Sequence, residues 1–187
     1  APVALRYAIE PQGEIIWLTD PITLMKAHKN PIELAGYREC HHQDGAAWVN
    51  FLAWLSREVP ERAASGQPLT EREVQAKQLA FRKQQPGFVE PSFATISASA
   101  SNAAMCHYRA SEASNKPIDH NHFYLNDSGG QYHNGTTDAT RTLAWGKVEP
   151  QQRLHYTAVL RGFLSLMTLQ FPSGSHGHQL CLLYTSD

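Results

Sequence analysis

Leu34, Tyr37, Trp48, Phe51, Leu52 and Leu55 recur at helical spacing in the first third of the chain, which predicts a long amphipathic helix. Its start is marked by Asn30-Pro31-Ile32-Glu33. Those residues supply an N-cap side chain, a proline where no intrahelical N–H is needed, and a Glu able to reach back to the cap. Pro60 is expected to stop the run. Thr70-Glu71-Arg72-Glu73 repeats the capping pattern and predicts a second helix to about Gln85, before Pro86-Gly87, with residues 63–68 as a polar linker. Upstream, Glu14-Ile15-Ile16-Trp17-Leu18 reads as a short strand closed by Asp20-Pro21. Two further strands are expected at residues 92–98 and 103–108, followed by a polar loop at 111–119. A third helix opens near Pro150 and ends before Pro172, with Leu154, Val159, Leu160, Phe163, Leu164, Met167 and Leu169 spread around it. Such a distribution calls for burial.

Residues 125–141 depart from these patterns. Asp127 and Asp138 each sit within a run of strand formers, where Asp is normally depleted. Tyr124-Leu125 leads into the first, the Gly-rich run 129–135 reverses the chain, and Thr136-Thr137-Asp138-Ala139-Thr140 leads out. An antiparallel hairpin follows. Side chains alternate along a strand, so Asp138 shares a face with Thr136 and Thr140, and a suitable register sets Asp127 beside it. Two close carboxylates repel each other unless a cation stabilises them, and hard oxygen ligands suit Mn, Mg or a hydrolytic Zn/Co centre. Asp beside Gly is also ordinary chemistry of a solvated turn.

Composition narrows the classes. A net charge of −1 with no Lys/Arg block argues against nucleic acid or an anionic membrane as main partner. The longest apolar stretch, residues 157–171, contains Arg161 and is too short to cross a bilayer. Cys40, Cys106 and Cys181 are widely spaced and odd in number, which suits reduced thiols and a cytoplasmic location. Of the histidines, His41 and His42 are adjacent on a helix and face different directions, so they are no metal pair. His107 stands out by following Ala103-Ala104-Met105-Cys106 shortly before the hairpin.

The wording of the hairpin carries a resemblance. Asp127-Ser128-Gly129-Gly130-Gln131-Tyr132, followed by Gly135-Thr136-Thr137-Asp138-Ala139-Thr140-Arg141-Thr142, resembles the first metal-binding hairpin of the pita-bread metallopeptidases, in particular the Xaa-Pro aminopeptidases. Residues 29–38 look like the start of that family's catalytic domain, and residues 93–97 with 102–108 look like its paired strands ahead of the hairpin. The likeness extends from about Trp17 to Leu180. It implies an α+β fold, the N-terminal half of a pita-bread domain with an antiparallel sheet and covering helices. Residues 1–28 would end a preceding domain and linker, 29–180 would form the half domain, and 181–187, which fall outside the family pattern, would be a non-native tail.

By the same resemblance, Asp127 ligates one metal, Asp138 bridges two, and His107 lies near the scissile bond. The implied cofactors are two divalent metal ions, Mn first, with Zn or Co as alternatives. The implied reaction is hydrolysis of an N-terminal Xaa-Pro bond by a metal-bridging hydroxide, on peptides with proline in second position, by a protein that can form a homodimer. Prolidase, methionine aminopeptidase, metal-free creatinase and a non-catalytic protein-binding module are the competing readings, and the two retained Asp favour the first. One further His and two Glu complete the family's site, and this chain ends before their place. The 187-residue chain alone is therefore expected to be inert, with apolar side chains of the third helix or the sheet left uncovered.

Overall fold

The computed structural model describes residues 7, 8, 13, 18 and 20–180. The strand expected at 14–18, apart from Leu18, and the tail 181–187 lie outside the described residues. A short helix α1 (Pro21–Ala27) precedes the long α2 (Pro31–Ala64). Both capping boxes form. Asn30 Oδ1 accepts from Glu33 N at 2.9 Å while Glu33 Oε2 accepts from Asn30 N at 2.8 Å. Helix α3 (Glu71–Arg82) starts the same way, with Thr70 N donating to Glu73 Oε2 at 2.8 Å.

Pro60 does not stop α2, which continues to Ala64. The proline is exposed, so water can take the carbonyl it leaves unbonded. Val59 beside it is only 2 % exposed and keeps the helix on the core. The stop comes at Gly66, whose φ of 73° suits a residue without Cβ. The buried seam of α2 contains Trp48, Phe51, Leu55 and Val59, which pack with Val74 of α3, Leu69, Ile118 and Tyr124; Leu34 stays exposed. Full burial of a side chain such as Phe51 or Leu55 stabilises by about 1.5–3 kcal/mol.

Among the described residues, six short strands form two antiparallel sheets. Strands β1 (Phe88–Pro91), β4 (Gly130–Tyr132) and β5 (Gly135–Thr136) make one, in the order β1-β4-β5. Strands β2 (Ile96–Ser99), β3 (Tyr124–Ser128) and β6 (Ala139–Leu143) make the other, in the order β2-β3-β6. The expected hairpin is therefore a ribbon whose two arms change sheets together. Asp127 stands opposite Thr140 in one sheet and Gln131 opposite Thr136 in the other, on a continuous register. The crossover falls at Gly129 and at Thr137-Asp138, so Asp138 lies in the break between β5 and β6 and not inside a strand. Thr137 replaces the ladder there: Gly130 N donates to its Oγ1 at 2.9 Å and Ser92 Oγ to its carbonyl at 2.9 Å. A Cβ on Gly129 would collide with the Thr137 carbonyl and Ser92 Oγ, so the close approach of the arms requires glycine.

Two further expectations fail in physically informative ways. Residues 103–108 form no strand; the chain leaves β2 into a 3₁₀ turn (Ala100–Ala104) and a bend. Polar side chains there bond inward to α3 and not to a neighbouring strand, with Asn102 Nδ2 3.0 Å from Glu71 Oε1. Helix α4 (Pro150–Met167) forms but has no buried residue. It leans on the sheet through a stack of Tyr156 on Phe123, ring centroids 5.1 Å apart. Val159, Phe163 and Met167 are exposed, which matches the expected uncovered apolar face. Among the described residues, no helix is long and apolar enough to cross a membrane.

Candidate metal and catalytic site

Strand β3 has two chemically different faces. Tyr124, Asn126 and Ser128 point inward and are buried. Gln78 of α3 donates through Nε2 to Asn126 Oδ1 at 2.9 Å and to Ser128 Oγ at 2.7 Å, and accepts from Asn126 Nδ2 at 2.9 Å. Asn126 also donates to the Tyr124 hydroxyl at 3.0 Å, which meets Ser97 Oγ at 2.8 Å. A one-residue slip would invert every side chain. The buried network therefore fixes which face Asp127 presents.

Asp138, two positions before Thr140 on the paired arm, projects to the same side as Asp127. Both line a cavity of about 300 Å³ with Phe93, Ile96, His107 and Arg109. Burial first, then the charge of Asp127, then the hydrogen bond to it hold the Asp138 carboxyl above the usual carboxylate range. Asp127 Oδ1 is buried and has no hydrogen-bond partner. A pair of carboxylates with one orphaned acceptor can share a proton or hold a hard cation, so the donor set fits a divalent metal. Among the described residues, no group of three or more His, Cys, Asp or Glu converges on one metal position. Asp127 and Asp138 thus bring two carboxylates together, fewer groups than a complete metal shell needs.

His107 reaches the cavity from the bend after the 3₁₀ turn, with φ at 55°. A non-glycine residue in this left-handed region costs roughly 1–2 kcal/mol and is held there by its surroundings. The structure brings all three site residues expected from sequence, His107, Asp127 and Asp138, to one cavity. Arg109 was not expected; a lone cation in a polar loop gives no sequence signal. His41 does not line this cavity: its Nδ1 bonds the Tyr37 carbonyl at 2.7 Å within α2, and its ring borders a different cavity that Asp138 also lines.

Metallopeptidase family M24 matches residues 35–184. The chain belongs to that family. This M24 chain is 41% identical over 177 residues to "Probable Xaa-Pro aminopeptidase P" of Pyricularia oryzae, covering 95% of the chain and 28% of that protein. A protein of the same name from Coccidioides posadasii is 40% identical, with 27% of it covered. The chain thus spans about a quarter of the length of the curated relatives it matches. Among solved structures it is similar to the X-prolyl aminopeptidase of Caenorhabditis elegans, described as a cytosolic enzyme with a di-nuclear active site. That match has TM-score 0.80 and 39% identity over 89% of this chain and 26% of the other. The Xaa-Pro dipeptidase of Bacillus anthracis gives TM-score 0.69 and 26% identity over 87% of this chain and 42% of the other. The α+β fold is that of the pita-bread aminopeptidases and prolidases.

Proposed function

We propose that the protein carrying this chain is a metal-dependent aminopeptidase that hydrolyses the bond between an N-terminal residue and a following proline. One observation carries the reading: the unpartnered Asp127 Oδ1 sits beside Asp138 in a cavity that His107 also lines. Asp127 and Asp138 would hold the divalent metals, with Mn the first candidate and Zn or Co next. Two bound metals would lower the pKa of water to yield a nucleophile at neutral pH and polarise the scissile carbonyl.

This chain's own residues bind, orient and exclude water. Asp127 and Asp138 supply the negative charge that retains the cations, on a ribbon whose register the Gln78 network fixes. His107, which lines the same cavity, would donate a hydrogen bond from its imidazole to the reacting carbonyl or to the oxyanion that develops on it. Phe93 and Ile96 form an apolar wall that strengthens such electrostatic contacts by displacing water. We assign residues 29–180 to one half of the catalytic domain and place the enzyme in the cytosol, as the nematode enzyme is described. A homodimer is the proposed assembly.

The test compares Xaa-Pro and Met-Ala peptides as substrates of the whole protein, with metal content followed alongside. The reading expects cleavage of the first class only. His107→Ala should slow turnover with metal retained, because the imidazole acts on substrate and not on metal. Loss of metal in that variant would show its role is wrong, and preference for Met-Ala would overturn the substrate assignment.

A further inference from the structure

We propose that Glu71 is the positioning residue for His107. This inference rests on the role of His107 given above, but its geometric basis stands apart from it. Glu71 opens α3 and is fully buried. Its carboxylate meets donors from several directions: Ser99 N at 2.7 Å, Asn102 Nδ2 at 3.0 Å, the Tyr108 hydroxyl at 2.7 Å and Lys116 N at 3.0 Å. All are hydrogen-bond donors, the partners a carboxylate requires when water is excluded.

Three of these donors bracket the segment that presents His107. Ser99 ends β2, Asn102 lies in the 3₁₀ turn, and Tyr108 follows His107 directly. Among the described residues, the non-glycine positions with positive φ are Ala100 at 50° and His107 at 55°. Both fall between these anchors. A strained backbone persists only where its surroundings over-determine it, and here the surroundings converge on one carboxylate. The segment's own backbone adds little, with Met105 N to Asn102 O at 3.2 Å and Tyr108 N to Met105 O at 3.3 Å. Asn102 Nδ2 is also 2.8 Å from the Tyr108 hydroxyl, which ties the two sides of the bend to each other as well as to Glu71. Without Glu71, Ser99 N and Lys116 N lose this acceptor and Asn102 and Tyr108 keep only the Ser114 carbonyl as a common one, at 3.1 and 2.9 Å, so the bend can relax and carry His107 away from the cavity.

The experiment uses the whole protein and the variants Tyr108→Phe, Glu71→Gln and His107→Ala. Tyr108→Phe deletes one donor to Glu71 while keeping the ring that packs on Ile96 and Ala98, and serves if Glu71→Gln fails to fold. Tyr108→Phe should lower kcat about tenfold, and Glu71→Gln roughly a hundredfold, as expected for a displaced catalytic group, with KM and metal content within twofold. Combined with His107→Ala, Tyr108→Phe should cause no further loss, because it acts through the imidazole. The His107 imidazole NMR signals, assigned by their absence in His107→Ala, should shift in Tyr108→Phe whether or not Xaa-Pro peptides prove to be substrates. Additive losses in the double variant, or imidazole signals unchanged in Tyr108→Phe, would overturn the positioning role. If His107→Ala leaves turnover intact while the signals move, the function assigned to His107 fails and the positioning stands.

Discussion

Replacing Asp138 with Asn should make the metal-free protein more stable and the metal-loaded enzyme inactive. In the absence of metal, burial and then the neighbouring Asp127 charge hold the Asp138 carboxyl above its ordinary value of 3.8. The folded state therefore binds more protons than the unfolded state in the interval above that value. Stability is fullest below it, falls as pH rises through the raised pKa, and is level beyond. At neutral pH the carboxylate is thus a liability that Asn removes. Asp138 is largely exposed and solvent screens the repulsion, which limits the gain to on the order of 0.5–1 kcal/mol, or roughly 1–4 °C in Tm for a chain of this size. The gain should disappear at about pH 3, below the ordinary value of 3.8, where the Asp138 carboxyl is neutral in the folded and unfolded states alike. Metal affinity should fall by at least about a hundredfold. Thermal unfolding in chelator at both pH values, with metal analysis of the same samples, reads both effects. A metal-free variant no more stable than wild type at neutral pH, or one that keeps its metal, would refute the reasoning.

Other positions give sharp expectations. Asp44→Ala strips the buried Arg82, bonded at 2.7 Å through Nε and 3.2 Å through Nη2, of its counterion and leaves the Tyr132 hydroxyl without its acceptor; urea unfolding should show a loss of about 3–5 kcal/mol, and a loss under 1 kcal/mol would contradict the pairing. Gly129→Ala drives a methyl into the Thr137 carbonyl and should destabilise by about 1–3 kcal/mol or more while lowering metal affinity, since the crossover that aligns Asp127 with Asp138 must open. The 187-residue chain on its own should bind Mn weakly and show no turnover on Xaa-Pro peptides, because its described residues bring only two carboxylates together; robust cleavage by it would contradict the coordination argument.

Local signals were readable and non-local ones were not. Asn30-Glu33 and Thr70-Glu73 announced their helices because a capping box is closed within a single turn. The face shared by Asp127 and Asp138 followed from strand alternation, but the change of sheet at Gly129 did not, since it depends on Ser92 and on strand β1 far back in the chain. Pro60 misled because a proline on an exposed helix face costs one bond that water replaces. Residues 103–108 looked like a strand for want of any sign that Asn102 and Tyr108 are bound by Glu71, 31 and 37 positions away. Glu71 itself read as part of a helix start. Its larger part is set by tertiary structure. Helix α4 has the composition of a buried helix and stands exposed, because side-chain pattern states what a helix needs and not whether the partner is at hand.

The most direct test of the central claim is the metal stoichiometry of the whole protein, equilibrated with Mn and measured beside its Asp127→Asn variant. Two ions per chain in the wild type and no more than one in the variant is the predicted result, since Asp127 is assigned to one metal and Asp138 to both. A wild type that binds no metal, or a variant that binds as much as the wild type, would contradict it.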